Sequence, residues 1–188
     1  MKRGLVLLSV TSLVLASVAS ASVQQGDTEL DFAAGFVSEN GAEDNGNSNS
    51  LFGGIDLGYF VTDNIQVGPS VSVGWTDNDS TSNTYGSESI EYGFGVFGKY
   101  HFMPTNQWVP YVGARIAYSW DNTDFDSPNV SDNTDEGISY GPVAGLRFEM
   151  NEKNDFYAEY RYTLYDGDFR DWRDETHAVL VGIIHQFK

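Results

Sequence analysis

Eight short segments in which apolar and polar side chains alternate constrain this chain more than any other feature. A period of two places alternate side chains on opposite faces of a β-strand. The segments run over residues 28–38, 50–61, 65–76, 89–102, 109–120, 137–150, 155–165 and 176–187. Each is close to the roughly 9 to 11 residues with which a tilted strand crosses a bilayer. The links alternate as well: short at 62–64, 103–108 and 151–154, long and polar at 39–49, 77–87, 121–136 and 166–175. Short turns at one end and long loops at the other, around an even number of antiparallel strands, predict an all-β, eight-stranded up-and-down transmembrane barrel. Both termini then lie on the short-turn side.

Alternation alone does not say which face points outward, since a soluble ligand-binding barrel shows the same period with an apolar interior. The faces themselves discriminate. Ile65, Val67, Pro69, Val71, Val73 and Trp75 share one side of the third segment, against Gln66, Gly68, Ser70, Ser72, Gly74 and Thr76. The fourth segment sets Ile90, Tyr92, Phe94, Val96 and Tyr100 against Ser89, Glu91, Gly93, Gly95, Lys99 and His101. The lumen of eight strands is only wide enough for its own side chains, so the glycine-rich polar face suits the inside and the bulky face suits lipid. Charge on a lipid face is costly near the midplane, and the bulky face has almost none. Tyr59, Trp75, Tyr100, Tyr118, Trp120, Tyr140 and Phe187 fall near strand ends, where interfacial aromatic girdles belong.

The first residues read as an address. Lys2 and Arg3 precede an apolar stretch over 5–18, and Ala19-Ser20-Ala21 supplies small residues for cleavage. The stretch is interrupted by Ser9, Thr11, Ser12 and Ser17 and falls short of the roughly 20 apolar residues of a spanning helix. The expected division is therefore a cleaved export signal over 1–21 and one barrel domain over 22–188. Loss of Lys2 and Arg3 with the leader takes the formal charge from −17 to −19. Such acidity excludes nucleic acid as a partner, because phosphate binding needs clustered Lys and Arg, and favours cations or basic surfaces. The absence of cysteine removes disulfides, thiolate metal sites and cysteine nucleophiles.

The polar face carries charges of both signs: Glu29, Asp31, Asp56, Glu91, Glu149 and Glu159 against Lys99, Arg115, Arg147 and Arg161. Unpaired buried charge is expensive, so mixed signs in a narrow lumen predict a network of paired charges that plugs it. The alternative is a water-lined pathway for ions or small solutes.

Three stretches carry a family resemblance: Leu57-Gly58-Tyr59-Phe60-Val61-Thr62-Asp63 before a tight turn, Trp108-Val109-Pro110-Tyr111-Val112-Gly113-Ala114, and the closing face of Val179, Val181, Ile183, His185 and Phe187. With the repeated glycine and aromatic pattern, the chain resembles the eight-stranded outer-membrane β-barrel superfamily that includes the OmpA transmembrane domain, OmpX and small porin-family proteins. The resemblance implies a location in a bacterial outer membrane after export across the inner membrane, among lipid and lipopolysaccharide. It implies as partners the barrel-assembly machinery, which reads the terminal strand at Ile183, His185 and Phe187, together with periplasmic chaperones. Lys188 after Phe187, and His185 at a position usually apolar or aromatic, depart from that terminal pattern. No peptidoglycan-binding domain is expected after Lys188, and a closed barrel needs no partner, so a monomer is expected.

Small barrels of this kind also include lipid A-modifying enzymes, in which a histidine activates a serine and a carboxylate orients it. Of His101, His177 and His185, only His177 stands near the outer side, beside Asp171, Asp174 and Glu175, and no serine completes the set. The expectation is no enzyme and no cofactor. Asp121, Asp124, Asp126, Asp132 and Asp135 present oxygen ligands that suit weak Ca²⁺ or Mg²⁺ binding, although solvated acidic loops are the plainer reading. Phe169, Arg170, Trp172 and Arg173 combine aromatic and guanidinium groups suited to contact with lipid sugar phosphates or a receptor. The role expected is structural or surface-interactive, with a narrow channel or a lipid A-modifying enzyme as alternatives.

Overall fold

The computed structural model describes residues 23–39, 48–78, 86–125, 133–167 and 175–187. The export signal expected over 1–21 lies outside them. Eight strands, β1 Thr28–Glu39, β2 Ser48–Phe60, β3 Ile65–Asn78, β4 Ser87–His101, β5 Trp108–Phe125, β6 Asn133–Glu149, β7 Asn154–Gly167 and β8 Glu175–Phe187, close in chain order into an antiparallel barrel. Neighbouring strands satisfy one another's backbone groups, the condition for an extended chain to stand in hydrocarbon.

The two faces fall where the alternation places them. Phe32, Ile55, Val71, Phe94, Ile116 and Val181 stand outward and exposed, while Asp31, Gln66, Lys99, Arg147 and Glu159 are buried in the lumen. Charged outward side chains, such as Asp77, Glu88, Asp124, Glu136, Asp166 and Glu175, gather at the loop ends of the strands, above Trp75, Trp120 and Tyr140. The apolar belt below them is the lipid-facing surface.

Strand ends depart from expectation in one direction. β5 runs to Phe125 and β6 begins at Asn133, so residues 121–125 and 133–136 belong to the ladder rather than to a loop, with Asp121 opposite Asp135 and Trp120 opposite Glu136. Above the lipid belt the outward face no longer needs apolar side chains, so the sequence alternation fades while the backbone pairing continues. At the other end Val61, Phe102 and Met150 fall in turns instead of strands, and Met103 adopts a left-handed backbone at φ 51°.

Two strands carry a Gly-Pro pair inside the wall. Pro69 and Pro142 have no N–H to give, and the β2–β3 and β6–β7 ladders each skip the positions beside them. The preceding glycines let the neighbouring strand press in: a Cβ on Gly68 would collide with the Leu57 carbonyl, and one on Gly141 with that of Tyr162. The wall therefore stays shut where hydrogen bonds are missing.

The β1–β8 seam is different. Its pairing runs from Thr28 with Phe187 to Ala34 with Val181. Beyond that level each strand pairs only with its other neighbour among the described residues, β1 with β2 as far as Glu39–Ser48 and β8 with β7 as far as Leu164–Glu175. The pairing consequently stops lower at the seam than over β3 to β6. At the short-turn end, Val23 is buried beneath the barrel, and its segment is tied down by the Gly26 N–H to the Phe60 carbonyl (2.9 Å) and the Gln25 N–H to Asp63 Oδ1 (2.8 Å).

Two outcomes are expected. Val71→Arg sets a charge against lipid and should cost about 2–4 kcal/mol, read as lost folded, heat-modifiable protein on gels; an undiminished yield would contradict the face assignment. In hydrogen exchange by NMR, the seam-facing amides of residues 176–180 should exchange faster than those of 181–187; uniform protection would mean that the seam is zipped throughout.

Candidate functional site in the barrel lumen

The lumen divides into two halves of opposite character. Toward the short turns, which in an outer-membrane barrel are the periplasmic side, strand alternation aims long charged, amide and aromatic side chains at one another. At the centre, Lys99 Nζ lies 3.3 Å from Asp31, 3.6 Å from Asp56 and 3.4 Å from Glu159. Arg115 grips Asp56 with both terminal nitrogens at 2.6 and 2.8 Å, a fork geometry that suits a carboxylate. Arg161 donates through Nε to Glu159 at 2.5 Å, and Tyr111 donates its hydroxyl to the other Glu159 oxygen at 3.0 Å. The Lys99 ammonium also stands 4.8 Å from the Phe97 ring centre and 5.3 Å from that of Tyr111, within cation–π range.

A second tier lies below. Arg147, with no exposed surface, holds Glu29 through both terminal nitrogens at 3.1 and 2.7 Å and Asp155 through Nε at 2.7 Å. Gln66 donates to Glu29 at 3.0 Å and Gln186 to Asp155 at 2.8 Å, while the Gln66 carbonyl oxygen meets His101 Nε2 at 3.2 Å. Phe60 and Val109, both fully buried, complete the filling. The chain crosses the lumen by side chains drawn from every strand from β1 to β8, so the two tiers also act as internal struts.

Eight of the expected lumen charges, Glu29, Asp31, Asp56, Lys99, Arg115, Arg147, Glu159 and Arg161, come together in these tiers. Glu91 does not: it points inward near the outer mouth, opposite Asp121 in the ladder. Glu149 is buried at the periplasmic end, where its N–H donates to the Gln107 carbonyl at 2.9 Å. Asp155, Tyr111, Gln66 and Gln186 join the network without having been singled out in the sequence. Asp155 shares strand parity with Glu159 and Arg161, and that signal places it inward.

Toward the outside the lumen is hollow. Above Arg115 and Arg161 the inward positions are mostly serine, threonine and glycine, and they enclose a cavity of about 570 Å³. Ser72, Gly93 and Ser119 follow one another around the wall in register, and Ser119 and Ser139 share a hydrogen bond at 3.0 Å. The plug expected from the charges thus occupies the half of the lumen toward the short turns. Small side chains cannot fill the bore that long ones close below.

Of the acidic candidates for a cation, the ladder sets Asp121 opposite Asp135 and turns Asp124 away from them. Asp121 and Asp135 face inward and Asp124 outward, Asp126 and Asp132 lie outside the described residues, and no metal-holding group occurs among the described residues. Phe169, Arg170, Trp172 and Arg173 also lie outside the described residues. Ile183 and Phe187 stand exposed on the outer face, and His185, between them, bonds Asn154 at 2.9 Å and meets Phe187 edge-on. His177 is outward too, 2.5 Å from the Tyr160 hydroxyl and 3.7 Å from Glu175. No serine bonds any of the three histidines among the described residues.

A family model for the outer membrane protein beta-barrel domain matches residues 7–187. The chain belongs to the outer-membrane β-barrel family. Its place is accordingly the bacterial outer membrane, within lipid and lipopolysaccharide. No curated protein matches it. Among solved structures, this outer-membrane barrel is similar to Neisserial surface protein A, at 19% identity over 86% of this chain and 96% of that one, with a TM-score of 0.59. The N-terminal barrel domain of Pseudomonas aeruginosa OprF matches at 20% identity over 87% and 99%, TM-score 0.53. The Yersinia pestis attachment invasion locus protein Ail, in complex with the heparin analogue sucrose octasulfate, matches at 13% identity over 87% and 99%, TM-score 0.55. These likenesses show a shared fold.

Arg147→Met should remove the partner of two buried carboxylates and destabilise the barrel by about 3–5 kcal/mol. The fall in urea midpoint, followed by tryptophan fluorescence in micelles, measures it, and a change under about 1 kcal/mol would show that these charges are solvated.

Proposed function

We propose that this outer-membrane barrel serves a structural or surface-interaction role and does not conduct. The observation that supports the reading is the two-tier network, in which buried Lys99 and Arg147 with their five carboxylate partners, Asp31, Asp56, Glu159, Glu29 and Asp155, occupy the cross-section of the periplasmic half. Opening a path there requires parting charges from partners they cannot replace, at several kcal/mol each. Surface interaction is supported by strands that extend beyond the lipid belt, above all β5 and β6, and by the similarity to Ail, whose structure holds a heparin analogue. The formal charge of −17 argues against such a polyanion as partner here and favours neutral or basic surfaces. Phe169, Arg170, Trp172 and Arg173 are the loop residues proposed to make such contacts. Recognition of the terminal strand through Ile183, His185 and Phe187 by the assembly machinery, delivery by periplasmic chaperones and a monomeric state belong to the same proposal.

The narrow channel is the second reading, favoured by the hollow outer half of the lumen. Planar-bilayer recording separates the two. The expected result is no unitary steps above the empty bilayer; reproducible steps altered by Arg115→Ala or Glu159→Gln would establish a channel instead.

A further inference from the structure

Three features of the outer lumen point to a ligand. The first is its size: about 570 Å³ lies within the range of small-molecule sites. The second is its wall, on which the Ser72, Ser119 and Ser139 hydroxyls stand among apolar surface such as the Phe52 and Tyr165 rings, as in small-molecule sites that place a few polar groups in an apolar lining. The third is Arg161 at the floor. Its Nε is committed to Glu159, but its two terminal nitrogens have no protein partner among the described residues, and its side chain is 13% exposed to the cavity. Its guanidinium therefore keeps donors for acceptors in the cup.

The charges select among ligands. Arg115 and Arg161 form the floor, while Glu91 and Asp121 stand higher on the same wall. Asp121 is 1% exposed, and its Oδ2 has no hydrogen-bond partner, Oδ1 being taken by the Thr123 hydroxyl at 2.9 Å. An anion meets the carboxylates on its way to the guanidinium. A cation that suits the carboxylates meets the guanidiniums below. An apolar solute strips water from serine and threonine hydroxyls that it cannot replace. A molecule rich in hydroxyls and without charge accepts from Arg161, donates to Asp121 and exchanges hydrogen bonds with the serine belt at no desolvation deficit. Aromatic walls add a face for its C–H groups.

We infer that the outer half of the lumen is a binding site for an uncharged polyhydroxylated solute the size of one or two sugar rings. Arg161 and the Ser72, Ser119 and Ser139 hydroxyls make the polar contacts, and the charged tiers form the closed floor. The site takes its ligand from the outside.

The test is an NMR titration of the isotope-labelled barrel in phosphocholine micelles, which carry no sugar headgroup, with glucose, sucrose and glucuronate as probes. Saturable shifts confined to the outer lumen, with a Kd on the order of millimolar for glucose or sucrose as befits so few atoms, are expected. Ser139→Leu fills the cup and leaves the charged tiers untouched, and should abolish the shifts. Arg161→Gln, which leaves Glu159 bonded to Lys99 and Tyr111, should weaken them about tenfold. Folding of both variants is checked by the heat-dependent gel shift, and Ser119→Leu stands in if one fails. The inference is overturned if neither sugar gives saturable shifts, if the shifts survive filling of the cup, or if glucuronate binds more tightly than both neutral sugars.

Discussion

Everything in this barrel depends on the backbone having no water to bond in the hydrocarbon. A strand in lipid must find a second strand on each side, and eight strands satisfy that demand only by closing on themselves. Closure then sets the bore, and the bore leaves room for little more than the inward side chains. The composition of the inner face decides what the molecule contains, because the outer face is already committed to lipid. Gly68-Pro69 and Gly141-Pro142 show how far the wall can be relaxed: a missing donor is tolerated where the absent Cβ allows close backbone contact.

The inner face spends its positions unevenly. In the periplasmic half, Arg147, Glu29, Lys99 and Glu159 reach across the bore and join strands far apart in the chain, as in the bond from Arg147 to Glu29 over a separation of 118 residues. Such pairs cost desolvation and return it only with complete geometry. Here each of the two central cations faces more than one carboxylate, while Asp31 Oδ1, Asp155 Oδ1 and Gln186 Oε1 are buried without a hydrogen-bond partner among the described residues. In the outer half, serine and glycine reach nowhere, and the same strands enclose space.

The architecture was legible in the sequence because a lipid-facing barrel shows its period twice, once in bulk and once in polarity. Val71 beside Ser70 and Ser72 states the rule, and the lumen charges follow from parity alone. Less was legible at the ends. Asp121 and Asp135 lie in a stretch that reads as loop, since above the lipid no apolar partner marks a face, and their ladder became apparent only in the structure. The contrast between the two lumen halves was written in residue length rather than in the alternation: Ser119 and Arg115 are both polar and share a face, yet one leaves a void and the other fills it. The unpaired outer part of the β1–β8 seam had no sequence signal, because Phe36 and Val179 keep the alternation whether or not their strands pair.

The hollow outer half changes what the bilayer is at this point. Elsewhere in the membrane a solute faces the full hydrocarbon thickness. Here a cavity extends inward to the level of Arg115 and Arg161, and what remains below it is a septum of two side-chain tiers. The barrel is locally a thinned membrane whose barrier is made of ion pairs rather than oil.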